Sequence, residues 1–166
     1  MNETLNKKEI AKQYVKASVH YGHRPKEWNP KMAPYILYEK YGYHIFDLVK
    51  TSKLLKLAGN VLEKKATKGG KFLFVGTNKI SASIIAKQAK RTNSYYINYR
   101  WLGGMLTNWS TIQTRIEQLK HFEQEELNGN LELLSKKEYS AKRKEIDKLK
   151  RLFNGIKEMT TLPDAV

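Results

Sequence analysis

The chain has 166 residues and a formal net charge of +15, from 31 Lys and Arg against 16 Asp and Glu, with 40% hydrophobic and 11% aromatic residues and no cysteine. That length suits one domain with an elaboration, and the apolar content is too high for a disordered chain. The lack of Cys excludes a disulfide framework and a thiolate metal site, no apolar run approaches the roughly 20 residues of a membrane helix, and the N-terminus is charged rather than signal-like. What remains is a very basic globular protein whose expected polyanion is nucleic acid, well ahead of an anionic membrane surface.

In chain order, residues 5–17 are expected to form a short helix. Gly22 and Pro25 then break the pattern, so Val19-His20-Tyr21-Gly22-His23-Arg24-Pro25 reads as a loop, extended by Trp28-Asn29-Pro30-Lys31-Met32 and Pro34. Residues 35–38 and 43–46, with Gly42 between them, predict two short strands joined by a turn. Asp47 is the expected N-cap of a helix over 48–66 that places Leu54, Leu55, Ala58, Val61 and Leu62 on one face and ends at Gly69-Gly70.

Phe72-Leu73-Phe74-Val75 is a continuous apolar run before Gly76, the pattern of a parallel strand buried on both faces. A helix over 80–91 and a short strand at Tyr95-Tyr96-Ile97 follow, and this order implies a right-handed parallel crossover. After Gly103-Gly104 the period changes. Met105, Trp109, Ile112, Ile116 and Leu119 are spaced alternately by four and three, a heptad seam. Asn128-Gly129-Asn130 marks a turn, Ser135 with Glu138 reads as a capping box, and Tyr139, Ile146, Leu149, Phe153 and Ile156 continue the seam with Lys142 the one misfit.

The expected fold is therefore α/β, with a parallel-sheet body over 1–104, an antiparallel coiled-coil hairpin inserted over 105–157 and a returning strand beginning in 158–166. A sheet of only these strands leaves a bare edge, so the expectation is that the chain is a fragment or that a partner covers the edge.

The charge is unevenly placed. Residues 1–50 carry 9 basic and 5 acidic side chains, 51–100 carry 11 and 1, and 101–166 carry 11 and 10. Within the last third, Glu117, Glu123, Glu125, Glu126 and Glu132 dominate the first arm, whereas Lys136, Lys137, Lys142, Arg143, Lys144, Lys148, Lys150 and Arg151 dominate the second. Opposite biases suit two arms lying side by side; solvated helix faces are the plainer alternative.

Gly76-Thr77-Asn78-Lys79 joins a strand to a helix, where a nucleotide phosphate would bind free N–H groups, but neither G-x-G-x-x-G nor G-x-x-x-x-G-K-[ST] is present. His20 and His23 have only Glu27 as a nearby carboxylate, and His44 and His121 are isolated. No Ser/His/Asp set and no paired carboxylates in an apolar setting stand out, so no catalytic, cofactor or metal residue is assigned. Arg100-Trp101-Leu102-Gly103-Gly104-Met105-Leu106-Thr107-Asn108 implies close backbone approach, either in a packed joint or to a phosphate backbone. Arg24, Lys26 and Lys31 around Trp28 and Asn29 combine cations with an aromatic plane, which suits a splayed base or phosphate, although Trp28 suits a core equally. Lys71 and Lys79 on the body and Lys136, Lys137, Lys142 and Arg143 on the second arm complete the candidate RNA-binding set.

Val19 to His23, Trp28 to Met32, Phe74 to Thr77, Arg100 to Trp109, Gly155-Ile156-Lys157 and Leu162-Pro163-Asp164 together resemble the bacterial and organellar small ribosomal subunit protein S2 family over nearly the whole chain. The resemblance implies a flavodoxin-like body with a protruding coiled-coil hairpin. It also implies a non-catalytic structural role in the small subunit, with ribosomal RNA and neighbouring ribosomal proteins as partners, no cofactor, no membrane and no homo-oligomer. Tyr99 stands where the family usually has His, which leaves room for stacking, and the family continues well beyond Pro163-Asp164. Met32 to Ile36 and Asn108 to Thr111 agree with plastid-type sequences, and 25 Lys against 6 Arg fits an AT-rich genome. A plastid ribosome is the expected location, the cytoplasm of an AT-rich bacterium the alternative. A nucleotide-binding α/β enzyme using the Gly76 turn and a coiled-coil interaction module are the competing functional readings.

Overall fold

The computed structural model describes residues 2–129, 131 and 135–166, with side chains from residue 9 onward. The chain divides into two compact units, Met1–Lys64 and Lys65–Val166.

The first unit begins with helix α1 (Asn2–Lys16). A 3-10 turn at Pro30–Tyr35 leads into β1 (Ile36–Lys40), β2 (Tyr43–Phe46) and helix α2 (Leu48–Ala66). β1 and β2 pair antiparallel, and the turn between them places Tyr41 and Gly42 at φ +52 and +74. Two successive positive φ values give the right-handed strand twist its matching tight turn, which Gly42 makes accessible. The segment expected to be a loop at 20–23 is more ordered than that. Phe46 N–H donates to His20 O at 2.9 Å, Gly22 N–H to His44 O at 2.8 Å and His44 N–H to His23 O at 3.1 Å, so this stretch lies along β2 as an outer rung. Asp47 caps α2 as predicted, its Oδ1 accepting from Val49 N–H at 2.9 Å.

The apolar face of α2 departs from expectation. No residue of α2 is buried, and Leu54, Leu55, Val61 and Leu62 are between 42% and 59% exposed. A two-stranded ribbon with one extra rung is too small to cover a five-turn helix.

The second unit contains β3 (Leu73–Val75), α3 (Lys79–Arg91) and β4 (Tyr95–Ile97), followed by helices α4 (Trp109–Leu127) and α5 (Lys136–Phe153) and a 3-10 turn at Asn154–Ile156. β3 and β4 are parallel with α3 as the crossover, and Phe72 bridges Ala165, also in parallel, where the returning strand is expected. The fold is mixed α/β with small sheets. Within β3 only Leu73 is buried, while Phe74 and Val75 are nearly 40% exposed, so the expectation of burial on both faces fails beyond the first residue.

α4 and α5 form the antiparallel hairpin. Gln113 Nε2 near its base donates to Thr160 O, Gln118 in the middle meets Glu145, and Glu125 near the tip meets Lys142. Met105, Ile112, Ile116, Leu119, Leu149, Phe153 and Ile156 are buried in one cluster with Leu73 and Ile97, so the base of the hairpin and the strands share a core. Tyr139 is the exception to the predicted seam, at 39% exposed. Ser135 and Glu138 form the reciprocal capping box at the start of α5. Asn130 of the predicted turn and Glu132 of the acidic arm lie outside the described residues.

Two glycines are fixed by packing. A Cβ on Gly76 would sit 1.9 Å from Ile85 Cδ1, and one on Gly155 would sit 2.0 Å from Tyr96 O. The first lets α3 close on the end of β3, the second lets the base of the hairpin close on β4.

Candidate nucleic-acid interface

In the first unit, the outer rung, the irregular segment and the β1–β2 ribbon enclose a cavity of about 590 Å³. Trp28 and His44 form one wall, with ring centroids 4.7 Å apart and planes at 51°. Tyr43 forms another and holds Arg24 in two ways. The guanidinium lies 5.3 Å from its ring centroid, and Arg24 Nη2 donates to the Tyr43 hydroxyl at 3.1 Å. That hydrogen bond is the main reason the Arg24 pKa is raised above its ordinary value. Gly22 lines the cavity without a side chain, and a Cβ there would stand 3.1 Å from both His44 O and the Phe46 ring, tighter than ordinary contact. Asn29 faces it too, while its Oδ1 accepts from Lys31 N–H at 2.9 Å and so starts the 3-10 turn. Lys26 and Lys31 are exposed.

Of the predicted group, Arg24, Trp28 and Asn29 line one cavity, and Lys26 and Lys31 do not. Tyr21, Tyr43 and His44 belong to the same site and are missed by sequence reasoning. No signal in the sequence joins them, since period-two alternation over 43–46 puts Tyr43 and His44 on opposite faces of the strand.

In the second unit, the Arg100–Asn108 run does two things. Leu102, Met105 and Leu106 pack on the core, whereas Arg100 and Trp101 remain exposed. Gly104, at φ +79, makes the turn that brings Asn108 N–H to Gly104 O at 2.8 Å, and Asn108 Oδ1 accepts from the Thr111 hydroxyl at 2.8 Å. Asn108 therefore braces the start of α4. Lys79 is exposed at the start of α3. Lys71 is tied back to the returning segment, its backbone N–H donating to Asp164 Oδ2 at 2.7 Å and its Nζ lying 3.5 Å from Thr161 Oγ1.

The second arm's candidates separate sharply. Lys136 and Lys137 are exposed in the first turn of α5. Lys142, the misfit in the seam, pairs with Glu125 at 2.7 Å and lies 5.2 Å from the Phe122 ring centroid. Arg143 pairs with Glu126 and lies 3.9 Å from Asp147, and Glu126 also receives Lys150 at 3.0 Å. Lys157 pairs with Glu123. These contacts hold the carboxyls of Glu125 and Glu126 below the usual range, chiefly through hydrogen bonds from Lys142 and Lys150 respectively. Three of the second arm's eight cations, Lys142, Arg143 and Lys150, are thus paired with Glu125 and Glu126 of the first arm.

A groove that sequence reasoning does not assign lies where β4 ends, between Asn98, Tyr99 and the last turn of α5 at Lys150, Arg151 and Asn154. The Gly76 turn, by contrast, offers little to a phosphate. Asn78 Oδ1 accepts from Ile80 N–H at 3.2 Å, and the glycine answers to Ile85 rather than to a ligand.

Residues 14–166 match the family model described as Ribosomal protein S2. The chain is 53% identical over 152 residues to a protein named small ribosomal subunit protein uS2c from Trieres chinensis, covering 92% of this chain and 66% of that relative. It is 53% identical over 154 residues to the uS2c of Guillardia theta, covering 93% of this chain and 66% of the relative. It is 51% identical over 154 residues to the uS2 of Trichormus variabilis, covering 93% of this chain and 58% of the relative. The chain therefore spans somewhat less than two thirds of the length of these relatives.

Proposed function

The chain belongs to the ribosomal protein S2 family, and from that premise we propose that it is a structural constituent of a small ribosomal subunit, binding ribosomal RNA and neighbouring ribosomal proteins. The observation that carries this reading is the match over residues 14–166 together with about half identity to proteins named for the small subunit. The uS2c names of the relatives from Trieres chinensis, Guillardia theta and Phaeodactylum tricornutum support a plastid ribosome as its setting.

The role is architectural and non-enzymatic. The body supplies cations and exposed aromatics, while the hairpin supplies an arm whose two helices are tied together by the ion pairs of Glu125 and Glu126. A flavodoxin-like body with the hairpin as an insertion after residue 104 is the finer reading of the fold. It is supported by the central position of β3, which pairs with β4 on one side and meets Ala165 on the other. That arrangement suits a doubly wound sheet.

Ribosomal RNA affinity measured across a salt series tests the proposal. Reversing Lys79 and Arg100 together (Lys79→Glu, Arg100→Glu) is expected to flatten the log–log salt slope by about 0.9 for each lost duplex-phosphate contact, or about 0.7 for a single-stranded one. An unchanged slope, or failure of the wild-type chain to sediment with small subunits, overturns it.

A further inference from the structure

We propose that the cavity bounded by Trp28, Tyr43 and His44 receives one unpaired RNA nucleotide, its base between the aromatic walls and its phosphate at the Arg24 rim. This rests on the RNA-binding reading above and adds to it a specific seat and a specific state of the RNA.

Three features of the cavity select such an occupant. The first is size and lining. About 590 Å³ lies within the roughly 300–1,000 Å³ usual for sites that enclose a small ligand, and the walls combine the aromatic rings of Tyr21, Trp28, Tyr43, His44 and Phe46 with the polar side chains of Arg24 and Asn29. A base in a helix cannot enter such a space, whereas a splayed base stacks on aromatic side chains.

The second is an unanswered polar atom. His44 Nε2 is shielded from solvent with no hydrogen-bond partner among the described residues, while its ring lies against Trp28. A buried polar atom without a partner is costly, and a turn of the His44 ring toward the cavity would let the edge of a base supply the donor or acceptor it lacks. A purely aliphatic occupant would leave that atom as it is.

The third is charge. Arg24 and Glu27 line the cavity, and the exposed Lys26 and Lys31 stand close by in the same segment, so cations outnumber the single carboxylate around its mouth. Arg24 is already oriented by the Tyr43 ring and hydroxyl, which use one of its nitrogens and leave the rest of the guanidinium for a phosphate. Aromatic walls with an oriented guanidinium at the rim match a nucleotide better than an apolar peptide side chain. Because stacking carries the interaction, the seat is tolerant of base identity but demands a single strand.

The 166-residue chain and short single-stranded RNA test this directly. Oligoadenylate is expected to bind about tenfold or more tightly than the same ribose-phosphate oligomer lacking bases, since each stacked base contributes substantially to affinity. Photocrosslinking with 4-thiouridine-substituted RNA is expected to mark a peptide containing Trp28 or Tyr43. Arg24→Gln, at an exposed side chain, is expected to weaken binding of both oligomers, and Trp28→Leu only that of oligoadenylate. If Trp28→Leu fails to fold, the comparison of oligomers on the wild-type chain still decides. Equal affinity for the two oligomers, or crosslinks confined to other segments, overturns the nucleotide seat. A salt-dependent affinity retained in either case leaves the broader RNA-binding reading standing. Protection of the cavity by a ribosomal protein instead of RNA in assembled subunits overturns the seat in the same way.

Discussion

The two units use similar apolar content in opposite ways. In residues 65–166, hairpin and strands converge on one cluster in which Met105, Leu119 and Ile156 are almost wholly buried. Among the described residues of the first unit, Ile45 alone is buried as a hydrophobic, while α2 presents a leucine-rich face to solvent. Both α2 and α5 carry apolar residues at helical spacing. The difference is that α5 has an antiparallel partner of nearly equal length with a matched stripe, whereas within its unit α2 has a short ribbon and, at its first turns, α1 beside it. A periodic pattern is a capacity for burial; only a partner surface of the right extent turns it into a core. Each Leu or Ile fully buried contributes about 1.5–3 kcal/mol, so the stability of the described structure concentrates in the second unit.

The largest expected effect tests that contrast head-on. Ile116→Asp, placing a carboxylate at a site 4% exposed, is expected to abolish cooperative unfolding of the hairpin at neutral pH. Leu55→Asp on α2, at a site 59% exposed, is expected to change stability by no more than about 0.5 kcal/mol. Circular dichroism melts of the two variants compare them, and equal losses would mean that α2 is as much a core helix as α4.

A pair of glycines offers the next test, with opposite signs. Gly155→Ala pushes a methyl into Tyr96 O and is expected to cost about 1–3 kcal/mol, read by denaturant unfolding. Gly59→Ala, in the interior of α2 with nothing within 4 Å of its new carbon, is expected to stabilise by about 0.5–1 kcal/mol. A destabilised Gly59→Ala would show that something packs on α2 there.

The smallest effect is a pH dependence of the hairpin. Glu125, Glu126 and Glu138 all have lowered pKa values, the last because the Ser135 hydroxyl and backbone N–H hydrogen-bond its carboxylate. Their folded pKa values lie below the unfolded value near 4.3, so the unfolded chain takes up protons first as pH falls. Their contribution is complete above about pH 4.3 and is lost as pH drops through the folded pKa values. Helicity of the hairpin should therefore weaken on acidification below about pH 4, and Glu125→Gln with Glu126→Gln should flatten that dependence. An unaltered acid profile would assign the loss to other carboxylates.

Much of the candidate interface is legible without the fold. Arg24, Trp28 and Asn29 group together because cations beside an aromatic plane suit a nucleotide, and they do share one cavity. His44 and Tyr43 escape that grouping because their approach to Trp28 comes from a separate strand. Charge alone assigns Lys142 and Arg143 to RNA. Their carboxylate partners stand 17 positions away in the sequence, and nothing short of the folded hairpin pairs them.

The sequence by itself determined the local structure. Asp47 and Ser135 cap their helices, Tyr41-Gly42 makes the tight turn, and the alternating spacing after Gly104 sets the hairpin seam. The caps and the turn rest on contacts within a few residues, and the seam on a spacing that repeats along each helix, so propensity and spacing decide them. Tertiary structure decided where the apolar residues are buried, which cations are paired, and why Gly76 and Gly155 lack side chains. Those outcomes depend on surfaces brought together from distant parts of the chain, and the net +15 that marked the protein as a polyanion binder says nothing of which charges the fold leaves free.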